Sequence, residues 1–107
     1  MNLFIDLNSP EGRRAVAAAQ RLVAVSLPPR DTGDPGHPDR DLVFTTEMAH
    51  VNGDPQAQAA LTVALAHVAG AVVAILAFET GVGTAEAWER VDALLDGLPP
   101  SGFLRLV

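Results

Sequence analysis

The chain contains no cysteine, no lysine and no tyrosine, and a single tryptophan among its 107 residues. Each absence excludes something. Without thiols there are no disulfides, no thiolate zinc site and no cysteine nucleophile, and the redox compartment is left open. Without lysine, all seven basic residues are arginine, a bias of the kind that GC-rich coding produces. The turn Gly81-Val82-Gly83-Thr84 therefore lacks the lysine of a phosphate loop, and it also lacks the strand that precedes one. Its Gly-x-Gly can receive an anion at a helix N-terminus, although a capping turn accounts for the same residues.

Positive charge is scarce. Seven arginines face thirteen acids, for a formal net charge of −6, and a domain of that sign is a poor ligand for phosphate backbones. Aromatic residues are scarce too, with four Phe and one Trp, and alanine supplies much of the 49 % hydrophobic content. The chain is long enough for one domain with one core, and that core is expected to be thin and helical. No serine stands in a strained glycine turn and no triad is supported by spacing, so no catalytic residue and no cofactor is expected. The opening MNLFIDLNSPEG has neither a basic start nor a small-residue cleavage site, and the expected location is the cytoplasm.

What the sequence has in abundance is one apolar run, Pro55 to Glu79, uncharged until its last residue. Asp54 suits an N-cap, Pro55 the first helical position and Gly81 a left-handed C-cap, which predicts a helix from Pro55 to about Thr80. On a helical wheel Leu61, Leu65, Val68, Val72, Ile75 and Leu76 form a stripe of large side chains. Ala59, Ala66, Gly70, Ala74 and Ala77 form a strip of small ones opposite. Such a helix needs cover on both sides, and the small strip lets a second helix come close. A membrane span is the lesser reading, because His67 would sit at mid-bilayer and no arginine lies close at either end. A neutral histidine buried and hydrogen-bonded is the expectation for His67 itself.

The remaining elements follow in order. Leu3, Phe4, Ile5 and Leu7 suggest an arm or single turn lying on the core. Ser9-Pro10-Glu11 starts a helix running to about Ser26, with Ala15, Val16, Ala19, Leu22 and Val23 inward and Arg13, Gln20 and Arg21 outward. Pro28-Pro29 ends it. Residues 30–41, rich in Pro, Gly and Asp, read as a mobile loop without the ligand order of a calcium site. Leu42 to Val51 reads as a helix capped by Asp41, although its β-branched content also suits a strand. Thr84 caps a last helix, Ala85 to about Asp96, in which Trp88, Val91, Leu95 and Leu98 form the inward stripe and Glu86 pairs with Arg90. The end of the chain, with Phe103, Leu104, Leu106 and Val107, is apolar and should dock.

The expected fold is therefore all-α: a single domain, a small helical bundle around one long hydrophobic central helix, with short extended or irregular termini. The expected function is a non-enzymatic protein–protein interaction module, an adaptor, inhibitor or regulatory subunit. It is expected to be a homo-oligomer, most simply a dimer, assembled through Ala59, Ala66, Gly70, Ala74 and Ala77 with Trp88 and Phe103 as apolar anchors. A basic protein is a further expected partner on grounds of charge, whereas nucleic acid and membrane are not. Two alternatives use other chemistry. Glu47 and His50, spaced as in ExxH, would share a helix face as in carboxylate-bridged metal bundles, given further ligands from a second copy. Leu65, Val72 and Phe78 would line a pocket for an apolar small molecule.

Overall fold

A computed structural model describes residues 5–27 and 39–97. Among them are four α-helices and no strand: α1 (Pro10–Val25), α2 (Arg40–Val51), α3 (Pro55–Thr80) and α4 (Thr84–Gly97). The all-α expectation holds, with the long apolar helix as predicted. The expectations for the first residues, for most of the Pro/Gly loop, for Leu98 and for the apolar end with Phe103 lie outside the described residues. The chain divides into two compact units, one within Met1–Val68 and one within Ala69–Val107.

In the first unit, α1 begins where Ser9 caps it. The Ser9 hydroxyl accepts from the Gly12 N–H at 3.0 Å and donates to the Asp6 carbonyl at 2.6 Å. The short segment before the helix is thereby folded back over its first turn, and Ile5 and Leu7 pack on the core. Gly12 is required by that return: a Cβ there would strike the Asp6 carbonyl oxygen and lie 2.5 Å from the Leu7 Cα. The core is made chiefly of alanine. Ala15, Ala18, Ala19 and Leu22 of α1 meet Ala60, Leu61 and Ala64 of α3, with Val43, Phe44 and Val51 of α2 at the edge. Small side chains on both helices let them approach closely, so few bulky groups are needed to exclude water.

Helix α2 corrects two expectations. It starts at Arg40, so residues 40 and 41 belong to a helix and not to the loop. Asp41 is not the cap; it lies in the first turn, where the helix dipole favours an acid. The strand alternative for this segment does not occur. In α1, the inward face is Gly12, Ala15, Ala18, Ala19, Leu22 and Val25, rotated slightly from the predicted one, so that Val16 and Val23 are half-buried.

In the second unit, α3 ends in a Schellman turn. The Val82 N–H donates to the Ala77 carbonyl at 3.1 Å and the Gly81 N–H to the Phe78 carbonyl at 3.4 Å. Gly81 takes φ 72°, the left-handed geometry this motif needs. Helix α4 starts one residue earlier than predicted: the Gly83 carbonyl accepts from the Ala87 N–H at 2.9 Å, so Thr84 is already helical. Ala77 and Ala87 are buried and Val73, Val82 and Val91 half-buried. The inward face of α4 thus runs through Ala87 and Val91, which leaves Trp88 at 49 % and Leu95 at 53 % exposure. The expected core anchor Trp88 stands instead at the boundary with water.

Two glycines should respond differently to alanine. Gly12→Ala must displace backbone and is expected to cost about 2 kcal/mol or more. Gly81→Ala meets open space and bears only the left-handed penalty, about 1 kcal/mol. Urea unfolding of both variants measures the difference, and equal losses would contradict this packing of the N-terminal turn.

Candidate functional site

The ExxH pair is formed, but its carboxylate is already engaged. Glu47 is 6 % exposed, the one buried charged residue among those described, and its Oε1 lies 2.8 Å from Arg21 Nε. The His50 Nδ1 is 3.9 Å from Glu47 Oε2, as i and i+3 on one helix dictate, while the imidazole is mostly exposed. Glu47 thus faces inward and not to solvent. The residue turns inward because α1 presents Arg21 at the matching height, and a guanidinium is the partner that makes a buried carboxylate tolerable. No group of three potential metal ligands exists among the described residues.

Around this pair α1, α2 and the start of α3 enclose a groove of about 550 Å³. Its apolar lining includes Ala18 and Leu61, and its charged or titratable lining is mixed, with Glu11 and Asp54 beside Arg14, Arg21 and His50. Spacing alone could not reveal it, since its members come from three helices. A second groove, on the other side of α1, is lined by Arg13, Gln20 and His67 among others. His67 is exposed, contrary to expectation. The packed seam of α3 runs through Ala60, Leu61 and Ala64, and His67 falls at its edge.

The interface candidates are distributed as follows. Ala59 is half-buried, and Ala66, Gly70 and Ala74 are exposed, while Ala77 is buried. A Cβ on Gly70 would meet nothing within 4 Å, so nothing described in the chain requires glycine there, although glycine costs an interior helix position about 1 kcal/mol. The large stripe divides in two. Leu61 is buried and Leu65 and Val68 pack on the core, but Val72 is 55 %, Ile75 62 % and Phe78 85 % exposed.

By length and composition α3 is the one described helix able to cross a membrane. Ala60, Leu61 and Ala64 of its first half belong to the alanine core, while only 17 % of its most apolar 18-residue stretch is buried.

Comparison of the chain with family models, with curated proteins and with solved structures gives no match.

The pair Arg21–Glu47 should show an asymmetry. Arg21→Ala strands a buried carboxylate and is expected to cost about 2 kcal/mol. Glu47→Leu fills the same space without charge and should cost under about 1 kcal/mol. Thermal unfolding of the two variants tests this, and the reverse order would mean that Glu47 is solvated.

Proposed function

We propose that the protein is a small non-enzymatic interaction module that self-associates, most simply as a dimer, by covering the apolar surface of its second unit with a second copy. The observation that carries this reading is the uncovered half of α3. Val72, Ile75, Leu76 and Phe78 follow one another at its surface, with Trp88, Leu94 and Leu95 of α4 exposed in the same unit. Monomeric proteins seldom leave so many large apolar groups together in water.

Magnitudes favour association. Fully burying a Val, Leu, Ile or Phe side chain is worth about 1.5–3 kcal/mol. Four such groups on each of two copies give an upper bound of about 12–24 kcal/mol. Bringing two chains together costs about 4–15 kcal/mol. A dimer of moderate affinity is the reasonable outcome, and a regulatory or adaptor role suits a chain with no catalytic constellation among its described residues.

The absolute mass in detergent-free buffer, by light scattering across a range of concentrations, tests the reading. A mass approaching twice the 11.2 kDa of one chain is expected, and Ile75→Asp should return it to that of one chain. A wild-type monomer at every concentration would sink the proposal.

A further inference from the structure

Along the uncovered half of α3, Ala71, Ile75 and Phe78 stand on one line of the helix, since steps of four and then three residues return to the same side. All three are exposed, Ile75 at 62 % and Phe78 at 85 %. Seven residues before Ala71 and Ile75 the line passes through Ala64 and Val68, which already lie in the helix–helix contact of the first unit. It is a packing seam that outlasts its cover. The opposite side of α3 is the covered one here. Val73 is half-buried and Ala77 buried, and each is two residues from Ile75, about 200° round the helix.

The chemistry of the seam restricts what can cover it. From Pro55 to Phe78 there is no Asp, Glu or Arg, so no ion pair selects a partner and shape must. The line is graded: small at Ala71, branched at Ile75, large at Phe78. Two copies laid antiparallel set the alanine of each against the phenylalanine of the other, on either side of a contact between the two Ile75 side chains. Laid parallel, they would oppose ring to ring at one end and alanine to alanine at the other, the first overfilled and the second void. Charge points the same way. Glu79, Glu86, Glu89, Asp92 and Asp96 face Arg90 alone among the described residues of the second unit. A parallel pair would gather both acidic ends, whereas an antiparallel one sets them apart.

We propose that two copies pair antiparallel along this seam, with Ile75 beside the two-fold axis and Phe78 of each copy over Ala71 of the other. This rests on the self-association proposed above and assigns its contact and its direction.

The chain has no cysteine, so disulfide trapping reads the contact without background. Full-length Ala71→Cys and Phe78→Cys chains are mixed in equal amounts, oxidised mildly and weighed by mass spectrometry without reductant. The mixed 71–78 disulfide should exceed either symmetric one about tenfold or more, against about twofold for random pairing, because only close Cα atoms can be bridged. Sedimentation equilibrium of a size exchange gives a second reading. Ala71→Phe and Phe78→Ala should each weaken the dimer about tenfold, and the double variant, which exchanges the two sizes, should recover most of the loss. Both positions are open to water in the single chain, so helix content by circular dichroism should not change. Random or symmetric disulfides, or a double variant no tighter than the single ones, would overturn the antiparallel contact and leave self-association standing in another arrangement. A wild-type monomer at every concentration would overturn both.

Discussion

Helix α3 hides its large side chains only where other helices reach it. Over Leu61, Leu65 and Val68 the stripe is met by α1 and α2 and forms, with the alanines of α1, the core of the first unit. From Val72 to Phe78 the stripe continues in sequence without equivalent cover. A helix of 26 residues beside helices of 16, 12 and 14 has more apolar surface than its neighbours can hide. Everything proposed about function follows from that imbalance. It also explains why the second unit, with two buried alanines and three half-buried valines, has so little core of its own.

The first unit shows how little bulk a close contact needs. Ala19 and Ala64 are fully buried and Ala60 nearly so, and dispersion between closely spaced backbones takes the place of large interdigitating side chains. Beside this seam stands one charged pair, its carboxylate buried and its guanidinium 55 % exposed. Glu47 and Arg21 tie α2 to α1 through a charge-assisted hydrogen bond of 2.8 Å. Both side chains of the pair also line the groove between α1, α2 and the start of α3.

How much of this was legible in the sequence depends on the range of the signal. Local chemistry was readable: Ser9 and Pro10 start α1, Asp54 and Pro55 start α3, Gly81 stops it, and Glu86 reaches Arg90 within one turn. Cover was not readable. A wheel shows that Trp88 and His67 could be inward, but whether a neighbour arrives there depends on the lengths and angles of other helices. The ExxH spacing likewise could not show that Glu47 would be taken by Arg21, 26 residues away. The groove was invisible for the same reason, since Arg14, Arg21 and His50 converge only once α1 and α2 are packed.

The absence of cysteine makes the central claim directly measurable. In Ile75→Cys the single thiol sits in the uncovered stretch of α3, and its rate of modification by a maleimide can be followed as protein concentration rises. Cover by a second copy predicts a rate near that of a free thiol at low concentration, falling as the mass doubles. A rate that stays at the free-thiol value while the mass doubles would contradict the account, because association would then leave the apolar half of α3 in water.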